Sequence, residues 1–474
     1  MFDKFNDECG IFAIFGSPDA SINTVLGLHA LQHRGQEAGG VVSMDGENAN
    51  FHFADGLISD NFTSRKILKK LEGNSAIGHV RYSTAGKKNA RNFQPIYAEL
   101  SHGFIAIAHN GNLTNAKTLR KKLISEGSIF QSTMDTEVII HLIAKSQKNS
   151  LQEKIIDATS QVEGACSLVI ISKEGIIAMR DPFGVRPLSI ARLGEAYLIA
   201  SETCAFDIVG AKFERDIEHG EMVIINNSGL KSLKPFKPQP SKFCIFEYVY
   251  FARPDSFIEG NHVYEMRKNI GVQLAKEIQL DADVVVPVPD SGVPASIGYA
   301  NQSKIPFELG IIRNHYVGRT FIEPTDKIRH FGVKLKHNAN LSVIKNKRVI
   351  LIDDSIVRGT TSKKIVQMIR DAGAKEIYML IASPPTISPC FYGVDTPEKQ
   401  DLIASKSSIE EIRKMIGADY LGYLSMDGMY QAIIKTNRDN ISPQYCDACF
   451  SDQYPIRLTD KIGSEIPLFE KPNS

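Results

Sequence analysis

The chain of 474 residues carries almost no net charge, formally +1 at pH 7. Such a balance gives no argument for nucleic acid or an anionic membrane as the main partner. No apolar stretch approaches the length of a membrane span. The first residues, Met1-Phe2-Asp3-Lys4-Phe5-Asn6-Asp7-Glu8, are short and charged and do not form a signal peptide. A cytoplasmic protein is expected. There is no internal repeat and no low-complexity tract. Seven cysteines is an odd count for a disulfide framework, and cytosolic thiols stay reduced. Their uses should be catalytic, metal-binding or core. The length exceeds what one core usually supports, so two domains are expected.

What is present falls into two patterns. Up to about residue 230 short strands dominate. Cys9 leads into Gly10–Phe15, and helical spacing follows with Ser21 as N-cap and Val25, Leu26, Leu28 and Leu31 as one apolar face. Strands are predicted at 40–44, 76–82 and 104–109, the last running into Asn110-Gly111-Asn112, a turn signal. A helix is predicted from Thr136 to Lys145, and further strands near 166–172, 175–180, 187–192, 196–201 and 221–226. Many strands with few helices suggest an α+β layered domain. The segment 231–242 holds three prolines among lysines and is the expected linker. Beyond it helices (263–279, 293–301) alternate with apolar strands (283–288, 307–312, 349–352, 376–381), the pattern of a parallel sheet. The stretch 314–340 fits neither period. It carries Arg319, Lys327, Arg329, Lys334 and Lys336 against Glu323 and Asp326. A basic loop of this kind is either a lid over a phosphate site or a solvated surface loop.

Val349-Ile350-Leu351-Ile352-Asp353-Asp354 is an apolar run ending in two carboxylates, followed by Ser355, Ile356, Val357, Arg358, Gly359, Thr360 and Thr361. Ligands of open α/β sheets bind at the carboxyl ends of strands. There two carboxylates can accept from a sugar diol or hold a hard cation, and a helix start offers N–H groups to a phosphate. Asp-Asp alone could equally be a polar turn. The whole run resembles the phosphoribosyl pyrophosphate (PRPP) signature of type I phosphoribosyltransferases. Asp290-Ser291-Gly292 similarly resembles that family's pyrophosphate loop. The resemblance implies that Asp353 and Asp354 take the ribose hydroxyls and magnesium with Ser291, and that Ser355 to Thr361 cradle the 5-phosphate.

In the first half, Cys9 with Gln32-His33-Arg34-Gly35-Gln36-Glu37, Gly78-His79-Val80-Arg81-Tyr82-Ser83-Thr84, His109-Asn110-Gly111-Asn112-Leu113 and Ser132-Thr133-Met134-Asp135-Thr136-Glu137 resembles the class II glutamine amidotransferase domain, an N-terminal-nucleophile αββα sandwich. The resemblance implies Cys9 as nucleophile on the glutamine amide once residues 1–8 are removed. Its free α-amine, of pKa about 7.7–8.0, can then serve as base to its own thiol. Arg81 would pair with the glutamine α-carboxylate and Asp135 with its α-ammonium. Asn110 and the Gly111 N–H would form the oxyanion hole. His33 and His79 are read as structural, and Cys166 and Cys204 as core.

Cys244, Cys390 and the pair Cys446-Asp447-Ala448-Cys449 make a third constellation. By spacing alone it suits an iron–sulfur cluster, a structural zinc, or an incidental pair with two buried cysteines. The two halves in this order, with 250–256 and 313–322 between them, resemble the amidophosphoribosyltransferase family from about residue 9 to 455. Membership would imply a leader 1–8, a glutaminase domain 9–230, a linker 231–242, a phosphoribosyltransferase domain 243–445 and a tail 446–474. The four cysteine positions match the branch that carries a [4Fe–4S] cluster. Ammonia would pass from glutamine at Cys9 to PRPP through a passage formed when the lid closes, the first step of purine synthesis. The family further implies feedback by purine nucleotides and a homotetramer. Glucosamine-phosphate synthase, asparagine synthase and glutamate synthase share the first half but not the PRPP run. A salvage phosphoribosyltransferase or a PRPP-sensing regulator would leave Cys9 and Arg81 unexplained.

Overall fold

The computed structural model describes residues 9–82, 90–314 and 337–462. The expected leader therefore lies outside the described residues, as does all of the expected lid except Asn314 and the stretch His337–Asn340.

The first part is built from two stacked antiparallel sheets. One has seven strands and runs through Gly10–Phe15, Ala38–Asp45 and Ser75–Arg81. The other has six and runs through Gly103–Leu113, Gly164–Ser172 and Gly175–Arg180. Side-chain alternation decides the layering. Ile11 and Ala13 meet Ala106 and Ala108 of the other sheet in one buried cluster. Phe12 and Ile14, on the opposite face, pack with Val25 and Leu28 of the helix Ala20–Ala30. Ile105 and Ile107 turn outward to the helices Thr136–Lys145 and Leu151–Thr159. The result is the expected αββα sandwich.

Three local expectations change. Ser21 lies inside its helix, whose N-cap is Asp19, and Leu26 of the expected apolar face is exposed. Asn110-Gly111-Asn112 does not turn. The strand continues to Leu113 because its partner continues too, pairing Asn110 with Ser167, Gly111 with Cys166 and Asn112 with Ala165. Lys231–Leu233, the start of the expected linker, close the six-stranded sheet as the end of the edge strand Gly229–Leu233.

The second part is a parallel sheet of Val284–Pro287, Arg348–Asp353, Glu376–Ile381 and Tyr420–Tyr423. Val349 and Leu351 pack into one buried cluster and Ile350 and Ile352 into another, which explains the unbroken apolar run. Phe307 joins this sheet by a single bridge to Val285, and the expected strand 307–312 is interrupted at 308–310; Ile311–Arg313 instead pairs with His337–Ala339 in a separate two-stranded sheet. The cluster holding Ile350 and Ile352 also takes in Ala165 and Val185 of the first part, so apolar packing is continuous across the two. No described helix is long and apolar enough to cross a membrane.

Candidate active sites

Cys9 stands at the head of the central strand Gly10–Phe15, buried, with its Sγ 3.7 Å from the Tyr82 carbonyl. Burial pushes the thiol pKa up. The Tyr82 contact and the charges of Arg81 and His109 pull it back, and Asp135 adds to the rise. The strand pairing Gly10 with Val80 brings Arg81 to the same end. Asn110 is fully buried, and neither its Nδ2 nor its Oδ1 finds a hydrogen-bond partner among the described residues. A buried amide without a partner is costly, and such groups concentrate where a ligand is meant to complete them. Gly111 has φ 147°, and a Cβ there would sit 2.0 Å from the Ala165 carbonyl oxygen. No other residue fits this approach.

Asp135 accepts from the N–H of Leu113 at 2.9 Å and from that of Thr136 at 2.8 Å. His109 Nδ1 lies 3.7 Å from its Oδ1. Burial would raise the Asp135 pKa, but His109 and the two N–H donors outweigh it and hold the carboxyl low. Burial likewise opposes charge on His109, yet Asp135 raises it well above the ordinary histidine value. His109 was not singled out from the sequence. The signal for it was its place one residue before Asn110, in a strand whose alternate residues face opposite layers. His79 Nε2 is 3.1 Å from the His109 carbonyl oxygen, and burial lowers its pKa to about 3. His33 bonds the buried Glu202 at 2.7 Å. Cys166 and Cys204 are buried, as expected.

Asp353 ends its strand, and both it and Asp354 are buried. Ser291 Oγ donates to Asp354 Oδ1 at 2.5 Å, and Ser355 Oγ donates to Asp354 Oδ2 at 2.6 Å. The Asp354 N–H donates to Asp353 Oδ1 at 2.9 Å. Gly359, at φ 81°, precedes the helix Thr360–Asp371, so Ser355, Ile356, Val357, Arg358 and Gly359 form the loop between strand and helix, while Thr360 and Thr361 open the helix. Arg358 is exposed, and its Nη2 is 4.0 Å from Asp401. Oxygen donors gathered at a strand's end beside a helix start suit a hard cation and a phosphate.

Cys244, Cys390, Cys446 and Cys449, far apart in sequence, line one apolar cavity with Arg186, Phe246, Phe251 and Tyr392. Cys244 and Cys446 pair as a parallel bridge, and none of the four forms a disulfide among the described residues. Burial pushes the Cys446 thiol up to about 12 and Cys449 well above its ordinary value. Four sulfur donors in an apolar shell, Cys244 and Cys446 buried and Cys390 and Cys449 partly so, fit a thiolate-held group whose cation offsets that cost. Among the described residues no three or more His, Cys, Asp or Glu are spaced for a single metal ion.

These sites are linked by charges that sequence patterning did not reveal. Arg34 Nε donates to the Cys9 carbonyl at 3.2 Å, while its Nη1 reaches Glu202 at 2.6 Å and Nη2 reaches Glu247 at 2.8 Å. Glu247 also meets Arg186 Nη1 at 3.4 Å. Arg186 in turn donates to the Tyr392 carbonyl at 2.9 Å and has Nη2 3.8 Å from Cys390 Sγ. Arg34 and Glu247 are 213 positions apart, so no local spacing could pair them.

Comparison with known proteins agrees with both halves. A glutamine amidotransferase domain family matches residues 79–207, and a phosphoribosyl transferase domain family matches residues 265–385. An amidophosphoribosyltransferase of Rhizobium etli is 55% identical over 98% of this chain and 95% of its own length. One from Bacillus subtilis is 49% identical over 96% of this chain and 95% of its own. The solved structure of glutamine PRPP amidotransferase from B. subtilis, complexed with ADP and GMP, superposes with a TM-score of 0.90 at 48% identity, covering 95% of this chain and 98% of that one. With both halves matched in order over nearly the full length, the chain belongs to the amidophosphoribosyltransferase family.

Proposed function

We propose that this enzyme hydrolyses glutamine at Cys9 and delivers the ammonia to PRPP, giving 5-phosphoribosylamine, pyrophosphate and glutamate in purine biosynthesis. The observation that carries the reading is the direct contact between the two sites' supports. Asn112 Nδ2 donates to the Phe391 carbonyl at 3.0 Å, and a Cβ on Gly393 would lie 2.9 Å from the Gly111 Cα. The domains are taken as 9–230, with the edge strand carrying the first on to Leu233, and 243–445, with 446–474 as a tail carrying the Cys-x-x-Cys.

In this reading the Cys9 α-amine, freed by removal of residues 1–8, takes the thiol proton. Sulfur bonds the glutamine δ-carbon while Asn110 and the Gly111 N–H hold the developing oxyanion. The C–N bond then breaks, and ammonia leaves with that proton. Water hydrolyses the thioester to glutamate. Arg81 and Asp135 orient the amino-acid end. At the second site Asp353 and Asp354 hold the ribose hydroxyls, and Ser355 to Thr361 the 5-phosphate. Asp353, Asp354 and Ser291 would also hold magnesium, which when bound neutralises the departing pyrophosphate. Ammonia attacks C1 unprotonated and needs no general base. Cys244, Cys390, Cys446 and Cys449 would hold a [4Fe–4S] cluster, a reading supported by their lining one apolar cavity. The cluster would tie the tail to the phosphoribosyltransferase domain. Regulation by purine nucleotides, a homotetramer and a cytoplasmic location belong to the same reading.

Replacing Cys9 by Ala tests it. Glutamine-dependent product should vanish while ammonia-dependent product persists. If glutamine still drives synthesis, the assignment fails. If neither nitrogen source does so in a folded variant, the two-site division fails.

A further inference from the structure

The stretch Arg457–Lys461 crosses back from the tail to the glutaminase domain. We propose that it is a strap that sets the affinity of the first site for glutamine; this rests on the assignment of Asp135 as the ammonium anchor.

The helix Ala116–Ser125 follows directly on the strand that carries Asn110 and Gly111. Its N-cap, Asn115, makes no side-chain cap, because that side chain is spent on Gln161 and Glu163. The open N–H groups are taken instead by Asp460. Its Oδ2 accepts from the Lys117 N–H at 2.6 Å, and its Oδ1 accepts from the Thr118 N–H at 2.9 Å and the Thr118 hydroxyl at 2.8 Å. Thr114 is clasped from both sides. Its hydroxyl donates to the Arg457 carbonyl at 2.7 Å, and its own carbonyl accepts from the Asp460 N–H at 2.9 Å. Thr459 bonds Glu163, and Lys461 Nζ sits 4.5 Å from the centre of the Phe391 ring.

These bonds fall where small movements matter. Thr114 is the next residue after Leu113, whose N–H fixes Asp135. Leu458, Lys461 and Phe391 line a cavity of about 260 Å3 together with Thr133, Asp135 and Leu113. A borrowed cap holds only while the tail is docked, so the tail acts on Asp135 without touching the substrate. It is a positioning element, and its loss should appear in glutamine binding rather than in the chemistry at C1 of the sugar.

The test compares Asp460→Ala, Asp460→Asn and Asp135→Asn in the full-length enzyme, assayed with glutamine and with ammonium. Asp460→Ala should raise the glutamine KM about tenfold, the worth of one well-made hydrogen bond. The glutamine kcat and the ammonia-dependent rate should change little. Asp460→Asn keeps one of the two acceptor oxygens and should fall between. An unchanged glutamine KM in Asp460→Ala, or an equal fall in both activities, overturns the strap. If Asp135→Asn leaves the glutamine KM unchanged, the anchor assignment beneath it fails. If Asp135→Asn raises KM and Asp460→Ala does not, only the strap fails.

Discussion

Replacing Asn110 by Ala should move stability and activity in opposite directions. The side chain is fully buried, and both polar atoms are without partners among the described residues. A buried polar group left unpaired costs about 1–3 kcal/mol. Truncation removes that cost and leaves a void of roughly 40 Å3, worth about 1 kcal/mol at about 24 cal/mol per Å3. The folded state should therefore be unchanged or stabilised by up to about 2 kcal/mol in urea unfolding. Catalysis should suffer, because removing one oxyanion donor costs about 100- to 1000-fold in kcat, or about 2.7–4 kcal/mol. The Gly111 N–H remains, so glutaminase activity should persist at a low level. Ammonia-dependent synthesis should be intact, since the second site is untouched. A fall in stability of more than about 1 kcal/mol would show that Asn110 is already satisfied in the folded protein, and the reasoning would be wrong. An unchanged glutaminase kcat would remove Asn110 from the oxyanion hole.

Glu247→Ala leaves the buried Arg34 and Arg186 guanidinium groups without a shared carboxylate. It should cost about 3–5 kcal/mol in urea unfolding, and a loss below about 1 kcal/mol would mean the network is not integral. His79 contributes a pH dependence. Its pKa is about 3 when folded against about 6.5 unfolded, so the unfolded chain binds the proton first and stability falls as pH drops from 6.5 towards 3. His109, raised by Asp135, works in the other direction: its contribution is full below about pH 6.5 and is lost as pH rises through its folded pKa. His79→Gln should reduce the slope of unfolding free energy between pH 6 and 4 by about 1.4 kcal/mol per pH unit, and an unchanged slope would contradict the assignment. Ser291→Ala removes the hydroxyl on Asp354 and should raise the magnesium concentration for half-maximal ammonia-dependent synthesis about tenfold. No change there would leave Ser291 as a turn residue only.

Much of this protein was legible because its signals are local. The apolar runs Gly10–Phe15 and Val349–Ile352 depend only on their strands being buried on both faces, and burial of that kind is written in local sequence. Turn chemistry was less reliable. Asn110-Gly111-Asn112 carries a hairpin signal, yet the ladder to Gly164–Ser172 overrides it, and glycine serves there for close approach to Ala165. The sequence by itself determined the two layered architectures and their order along the chain, and it nominated candidate residues for both sites. Only the tertiary structure decided what lies beside what. It paired His109 with Asp135, joined Arg34 to Glu247 and Arg186, gathered four scattered cysteines around one cavity, and sent Asp460 to cap a helix more than 300 positions away. The physical reason is common to all four. Buried charges and thiols are stabilised by partners from distant segments, and a pairing across such separations leaves no period in the chain.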